Sequence, residues 1–217
     1  MTNSKSLRTL GLALVCAAIT FTLAVRTQAQ TFTVLAEFNG TNGSIYPLGV
    51  VQATDGNFYG VTRFGGAYGK GNVFKVTPTG ELTSIYSFCS QSNCPDGFDP
   101  EPSPILGSDG KLYGTTAGGG PANGGTVYRI TLNGTLTTLY SFCTTSACLD
   151  GGAPTGIMQA ADGNFYGTTS VRGKFNRGTL FQIIPTGTLH VLYSFCALKN
   201  CLDGSYPYGP PIQGING

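Results

Sequence analysis

Short apolar runs separated by turn residues fill most of the chain. One unit begins with the apolar stretch Gly49–Ala53, passes an Asp-Gly pair and continues with Asn57–Thr62. A Gly-rich loop leads to Val73–Thr77 and, after Pro78-Thr79-Gly80, to Leu82–Phe88. Asp-Gly is a strong signal for a two-residue β-hairpin turn, and Pro and Gly favour the other turns. The pattern therefore predicts four antiparallel strands, a to d, and no helix beyond the N-terminal segment.

This unit recurs at a fixed spacing. The block Asp55–Thr62 returns at Asp109–Thr116 and at Asp162–Thr169, with offsets of 54 and 53 residues. Blocks that start at Gly71 and Ile85 return at the same offsets. Four-stranded units of this length are typical of β-propeller blades, and a lone sheet cannot bury both of its faces. We therefore predict an all-β, β-propeller-like fold of stacked antiparallel blades.

The repeat also suggests boundaries. Phe32–Phe38 matches strand d, Tyr206–Gly209 matches the start of strand a, and Asn216-Gly217 falls where Asp-Gly would recur. Propellers usually have 4–8 blades, so we expect an incomplete propeller, either a fragment or a chain that self-associates through its open blade edges. The predicted complete repeats are 45–98, 99–151 and 152–205, with partial repeats at 31–44 and 206–217.

The N-terminus has the three parts of a secretory signal peptide. Lys5 and Arg8 precede the apolar run Leu10–Val25, and Thr27-Gln28-Ala29 places small residues at the cleavage site. The apolar run is short for a membrane span, which needs about 20 residues. We predict a signal peptide at 1–29, a repeat domain at 30–217, and a secreted or cell-surface protein. An uncleaved anchor is the first alternative, and a lipoprotein signal at Cys16 is a weaker one.

Charge argues against a nucleic-acid partner. The whole chain has 12 basic and 10 acidic residues, a formal net charge of +2. Three of the basic residues lie in the predicted signal peptide, so cleavage leaves nine and a net charge of −1. No basic cluster remains that is large enough to neutralise a row of phosphates. We therefore expect no nucleic acid and no membrane span after cleavage.

The cysteines follow the repeat as well. An even number, export and a constant C-x4-C spacing predict local disulfides, each worth about 2 kcal/mol in the chain-entropy model. A zinc site is the rival, but zinc needs four N or S ligands and each repeat supplies two, with one His in the chain. We predict no metal and no cofactor. The predicted pairs are Cys89–Cys94, Cys143–Cys148 and Cys196–Cys201.

Candidate catalytic groups are few. Six of the ten acids are repeated turn aspartates; the others are Glu37, Glu81, Asp99 and Glu101. Asp99 and Glu101 are close in sequence, as paired glycosidase carboxylates would be, but a Pro-rich surface loop accounts for them better. His190 replaces a threonine of strand d, and no nucleophile elbow accompanies it. The sequence indicates no catalytic residue.

The loop between strands b and c differs among the copies. It is Gly65–Gly71 in the first copy, Gly118–Gly125 in the second and Arg172–Gly178 in the third. A variable loop on a constant frame is how binding sites are placed on scaffolds, although sequence drift explains the variation equally well. The weak binding candidates are Arg63, Tyr68, Lys70, Arg172, Lys174 and Arg177.

The blocks resemble the bacterial GloVer tandem-repeat family. Asp162–Thr169, Gly125–Ile130 and Gly134–Phe142 carry the resemblance, which spans roughly 31–217. It implies an exported or surface-anchored bacterial protein with a propeller-like body, and no known reaction. We expect a repeat scaffold that is structural or binds a glycan or surface protein rather than an enzyme. The alternative is an extracellular polysaccharide hydrolase or lyase.

Overall fold

The computed structural model describes residues 32–39, 46–144 and 147–215. The predicted signal peptide, Cys16 and Asn216-Gly217 lie outside the described residues. The chain divides into two compact units, Met1–Thr33 and Val34–Gly217, and every assigned strand belongs to the second. The strands are β1 Pro47–Gln52, β2 Phe58–Thr62, β3 Asn72–Val76, β4 Leu82–Ser87, β5 Phe98–Leu106, β6 Leu112–Gly118, β7 Thr126–Ile130, β8 Leu136–Ser141, β9 Gly152–Gln159, β10 Phe165–Val171, β11 Thr179–Ile183 and β12 Leu189–Ser194.

These strands form three four-stranded antiparallel sheets in simple up-and-down order. We name them blade 1 (β1–β4), blade 2 (β5–β8) and blade 3 (β9–β12). The predicted strands a to d are confirmed, and so is the all-β, β-propeller-like fold class. At the first Asp-Gly turn, Gly56 has a φ of 80°, and Asp55 accepts a hydrogen bond from the Asn57 amide at 3.1 Å. The described residues contain one short 3-10 turn, Lys199–Cys201.

The three blades repeat one another in detail. Strands b and c pair in the same register, for example Val61 with Val73 and Thr115 with Val127. Strands c and d share one irregularity at the equivalent place in every blade. It lies between Val73 and Phe74, between Val127 and Tyr128, and between Leu180 and Phe181.

Apolar cores lie between the blades. Because side chains alternate along a strand, the two faces of blade 2 pack against different neighbours, one against blade 1 and the other against blade 3. Phe88 of blade 1 packs edge-on against Tyr128 of blade 2, with ring centroids 5.3 Å apart. Phe142 meets Phe181 in the same way at 5.2 Å. The second core comprises Tyr113, Val127, Phe142, Ile157, Phe165, Phe181 and Ile183.

The segment before blade 1 occupies the place of a preceding strand d. Phe38 packs on Phe74 at 4.9 Å, as Phe88 packs on Tyr128. The Leu35 carbonyl approaches Gly80 as the Ile85 carbonyl approaches Gly134. The segment itself is not assigned as strand within 32–39. The described residues supply no strand c beside it to complete a hydrogen-bonded pair.

The segment after blade 3 shows the same behaviour. Gln213 accepts a hydrogen bond from the Ala161 amide at 2.9 Å, as Gln159 does from the Ser108 amide at 2.8 Å. Gln213 therefore takes the place of a strand-a glutamine, although 206–215 is not assigned as strand. Beside this segment, the outer face of blade 3 carries an open cavity of about 460 Å³.

Each repeated aspartate also binds a tyrosine hydroxyl. In blade 1, Tyr59 donates to Asp55 at 2.8 Å, and Tyr86 donates to Asp96 at 2.8 Å. The first bond closes the turn between strands a and b, and the second ties strand d to the crossover that follows it. The equivalent bonds are Tyr113–Asp109, Tyr140–Asp150, Tyr166–Asp162 and Tyr193–Asp203.

Candidate functional site

The crossovers from strand d to the next strand a lie at the same end of the blades as the b–c loops, as the strand order requires. We call this the loop end; it comprises the loops, the crossovers and the strand residues next to them, which are residues 63–71, 89–101, 117–125, 143–144, 147–155, 172–178 and 196–208. The Gly120 amide of a b–c loop donates to the Cys94 carbonyl of a crossover at 2.9 Å. The same loops also contact the next blade, since the Asp99 amide donates to the Lys70 carbonyl at 3.1 Å.

The crossovers are closed by the three predicted disulfides, all of which form. Cys89 and Cys94 have φ values of 66° and 46°, and residues other than glycine rarely adopt positive φ values. Asp96 accepts a hydrogen bond from the Cys89 amide at 2.9 Å. Covalent and polar contacts thus hold a backbone shape that the residues would not favour alone.

One place at the loop end departs from the repeat. Arg63, Asp99 and Glu101 are charged, whereas their equivalents in the other copies are uncharged. Arg63 and Glu101 are 38 residues apart, as are their equivalents in each later copy. The uncharged equivalents are Ala117 and Ser170 for Arg63, Ala153 and Tyr206 for Asp99, and Thr155 and Tyr208 for Glu101.

Arg63 and Glu101 form an ion pair, with Arg63 Nη1 and Glu101 Oε1 2.5 Å apart. Glu101 is only 8% exposed, whereas the Arg63 side chain is 40% exposed. The Tyr208 hydroxyl reaches the second carboxylate oxygen of Glu101 at 3.4 Å, and Thr115 Oγ1 donates to the Glu101 carbonyl. The Arg63 guanidinium lies over the Phe64 ring, 5.5 Å from its centroid. The Glu101 side of the pair is therefore buried and held by neighbouring residues, and the Arg63 side is open to solvent.

Arg63 also has an unused donor. Its Nε atom is buried and makes no hydrogen bond to the described residues. Arg63 otherwise donates from its backbone amide to the Tyr46 carbonyl at 3.1 Å. A buried polar atom without a partner is uncommon in folded proteins, and functional sites are one place where it occurs.

Asp99 lies beside this pair. Burial raises the pKa of the Asp99 carboxyl, while the charges of Arg63 and Lys70 act in the opposite direction. Lys70 Nζ in turn lies 4.9 Å from the centroid of the Phe98 ring. The prediction that Asp99 and Glu101 are surface-loop charges is wrong, because both belong to strand β5. The prolines that suggested a loop are tolerated because β5 is an edge strand of its sheet.

Solvent-exposed aromatic rings surround the pair. Tyr208 is 81% exposed and Tyr46 is 59% exposed, and the Tyr46 and Phe64 rings meet edge-on at 5.8 Å. Tyr68, a predicted binding residue, is also exposed. Several aromatics of the repeated blocks, such as Tyr59, are buried in the blade cores. The exposed rings around Arg63 lie outside those blocks and are available to stack on a ligand.

The remaining predicted binding residues lie on the blade 3 loop. Arg172 Nη1 contacts Cys143 Sγ and lies 3.0 Å from Cys148 Sγ, so its guanidinium packs on a disulfide. Lys174 Nζ lies 5.3 Å from the Phe175 ring centroid. The Arg177 guanidinium lies 4.9 Å from the Tyr206 ring centroid. The predicted residues therefore fall into two groups, one around Arg63 and one on the blade 3 loop.

The other candidates from the sequence, His190, Glu37 and Glu81, are surface residues. His190 is exposed on β12 and pairs with Gln182 of β11, as expected for a strand surface residue. Glu37 and Glu81 are exposed. Within the described ranges, no three His, Cys, Asp or Glu side chains are grouped to hold a metal ion. Across those same ranges, no helix has the length and apolar character needed to cross a bilayer.

The three sheets define a β-propeller-like tandem-repeat protein. The model of the Gloeobacter/Verrucomicrobia repeat family matches residues 17–217, and the chain belongs to this family. No curated protein matches the sequence. An X-ray structure of a protein assigned as a gluconolactonase is 17% identical, with a TM-score of 0.44 over 67% of this chain and 48% of that one. The chain thus spans about half the length of that structure.

Sequence reasoning missed the Arg63–Glu101 contact and the role of Tyr208. A signal was present, because Arg63 and Glu101 have opposite charges where later copies have none. The contact could not be predicted from the sequence because the two residues are 38 positions apart along the chain. In the sequence, Tyr208 belongs only to a partial repeat, and its approach to Glu101 depends on how the segment after blade 3 lies.

Proposed function

We propose that this chain is an exported repeat scaffold that binds a saccharide at its loop end. We call the proposed centre the Arg63 site: Arg63, Phe64, Asp99, Glu101 and Tyr208. The observation that carries the proposal is the ion pair between buried Glu101 and half-exposed Arg63, at a position that is uncharged elsewhere in the repeat. Export is supported by the signal-peptide pattern of 1–29 and by disulfides, which persist in oxidising compartments.

The chemistry of the Arg63 site suits sugar hydroxyls. A guanidinium donates hydrogen bonds, so the exposed part of Arg63 can donate to the hydroxyl oxygens of a sugar, while the buried Glu101 carboxylate holds the guanidinium in place. The rings of Phe64 and Tyr208 offer apolar faces to sugar C–H groups, as aromatic side chains do in many binding sites. Glu101 keeps Arg63 oriented before the ligand arrives, which lowers the entropy cost of binding.

A binding test compares the mature chain with a variant that restores the repeat. The variant combines Arg63→Ala with Glu101→Thr, the residues found at the equivalent positions Ala117 and Thr155. Because blades 2 and 3 already accept this combination, we expect the variant to fold. A glycan array identifies the ligand, and calorimetry should show affinity weakened by about tenfold or more, as loss of a charged hydrogen-bonding group implies.

Ser170→Ala is the matched control, since Ser170 is the blade 3 equivalent of Arg63 and lies outside the Arg63 site. It should bind like the wild type. Undiminished affinity of the double variant, with an unchanged unfolding midpoint, would exclude the Arg63 site. Absence of any bound glycan on the array would exclude saccharide binding altogether.

A polysaccharide hydrolase or lyase is the second candidate. The observation in its favour is that Asp99 and Glu101 lie on one strand in different environments, with the Asp99 pKa raised by burial and Glu101 held by Arg63. A carboxyl group whose pKa is raised by burial is a feature of general acids, and a second carboxylate close by is the partner that glycoside cleavage needs. The test measures release of reducing ends or unsaturated products from a panel of polysaccharides. Activity that is lost in Asp99→Asn and kept in Glu81→Gln would establish the enzyme.

A further inference from the structure

The b–c loop of blade 3 carries a second surface with a different chemistry. We define the blade 3 loop surface as Lys174, Phe175, Arg177 and Tyr206. Its two cations lie over its two rings, Lys174 over Phe175 and Arg177 over Tyr206. The ion pairs within the described ranges are Arg63–Glu101 and Lys111–Asp109, so neither cation of this surface is neutralised by a carboxylate there.

The loop does not need these cations in order to fold. Blade 2 has the same loop with the uncharged residues Pro121-Ala122-Asn123-Gly124 at the equivalent positions. The Asn123 amide donates to the Gly120 carbonyl at 3.1 Å, and the Asn176 amide donates to the Gly173 carbonyl at 3.1 Å. The two asparagines have φ values of 52° and 57°. One backbone frame therefore carries a neutral loop in blade 2 and a cationic, aromatic one in blade 3.

The rings restrict where the charges point. A cation over an aromatic face gains about 0.5–1 kcal/mol at an exposed site, so each side chain is held while its remaining donors stay in water. Arg172, the third cation of the loop, is turned toward the Cys143–Cys148 disulfide and is not counted. Arg177 Nη1 also donates to the Asn176 carbonyl at 3.2 Å. The planar guanidinium has further N–H donors and suits a carboxylate or a sulfate, which it can bind through two hydrogen bonds.

We propose that the blade 3 loop surface binds the acidic group, a carboxylate or a sulfate, of an anionic polysaccharide. This inference rests on the proposed saccharide function and names the ligand class. The charges of Arg63 and Glu101 cancel within their ion pair, whereas the blade 3 loop surface supplies two positive charges. Together they favour an acidic polymer over a neutral one of the same length.

The test replaces residues of the blade 3 loop with the uncharged residues that blade 2 has at the equivalent positions. A triple variant carries Lys174→Pro, Phe175→Ala and Arg177→Gly, the residues of blade 2. The probes are polygalacturonate for the carboxylate, dextran sulfate for the sulfate and dextran as the neutral polymer, measured by affinity electrophoresis. The wild type should prefer one acidic probe over dextran by about tenfold or more, as a charged two-point contact implies, and the triple variant should lose that preference.

Two controls separate a site from general charge. Lys199→Ala removes an exposed positive charge outside the surface and should leave the preference intact. Arg177→Lys keeps the charge without the fork and should retain only part of it. The preference should also fall when salt rises from about 0.1 M to about 1 M, because mobile ions screen exposed charges.

The outcomes distinguish this inference from the proposed function. Equal binding of dextran and both acidic probes, or a triple variant with unchanged preference, would overturn the inference alone. If Lys199→Ala lost the preference for acidic probes to the same extent, the inference would also be overturned, because net charge alone would then explain the preference. If no polysaccharide binds, or if the Arg63→Ala, Glu101→Thr variant binds all probes as the wild type does, the proposed function fails instead.

Discussion

Two regions of each repeat differ in how far their residues are kept from copy to copy. One is the pair of faces buried between neighbouring blades, and the other is the loop end. At the faces, equivalent positions keep their chemistry: Phe88 and Phe142 occupy one position, and both are fully buried. At the loop end, equivalent positions change from Arg63 to Ala117 and from Gly124 to Arg177. The difference indicates that packing constrains one part of each repeat while solvent leaves the other free to acquire separate binding chemistry.

The largest expected effect comes from the faces. Phe142→Ala should lower the free energy of unfolding by about 3–5 kcal/mol, because it opens a cavity between blades 2 and 3. Phe195 occupies the equivalent position in blade 3 but is only partly buried, so Phe195→Ala should cost clearly less. Urea denaturation measures both. Equal losses would mean that blade stacking is not what stabilises the faces.

The crossovers come next, since they lie at the loop end yet keep their cysteines in every copy. Replacing Cys143 and Cys148 with serine should lower stability by about 2 kcal/mol in the chain-entropy model. Denaturation of the oxidised proteins gives the value, and reduction of the wild type provides an independent check. A variant as stable as the wild type would show that the hydrogen bonds to Asp150 suffice to hold the crossover.

Two buried tyrosines, Tyr128 and Tyr113, test how much a single hydroxyl group contributes to stability. The Tyr128 hydroxyl is buried without a hydrogen-bond partner among the described residues, and Phe74 and Phe181 stand at the equivalent positions. Tyr128→Phe should therefore raise stability by about 1 kcal/mol. Tyr113→Phe removes a hydrogen bond to Asp109 and should lower stability by about 1 kcal/mol. Changes of the same sign in the two variants would contradict this assignment.

The smallest expected effect lies at the a–b turns, opposite the loop end. Side-chain hydrogen bonds from Asn57 and Asn164 lower the pKa values of Asp55 and Asp162. Since the folded pKa lies below the unfolded value of about 3.9, the ionised turns stabilise the fold above about pH 4. That stability is lost as the pH falls through the lowered folded pKa.

Denaturation between neutral and acidic pH measures this effect. The variant Asp55→Asn, Asp162→Asn should show a flatter acid profile than the wild type. Glu81→Gln, at an exposed acid outside these turns, should leave the profile unchanged. An equally steep profile in the asparagine variant would assign the acid sensitivity to other groups.

Prediction from sequence succeeded where the signal was local. The strands follow from short apolar runs between turn residues, their turns from Asp55-Gly56 and its copies, and the disulfides from cysteines five positions apart. It failed where a local signal misled. Pro100 and Pro102 suggested a loop, whereas an edge strand accommodates them, and the segment at 32–39 has strand-like residues without assigned strand structure.

The sequence by itself determined the repeat, the four-stranded unit and the cysteine pairs, because each depends on residues that are close along the chain or recur at a constant offset. Only the tertiary structure decided that Arg63 meets Glu101 and that Glu101 is buried. The physical reason is that β5 packs against β1 and β2 of the preceding blade, and this contact turns two distant, isolated charges into one anchored pair.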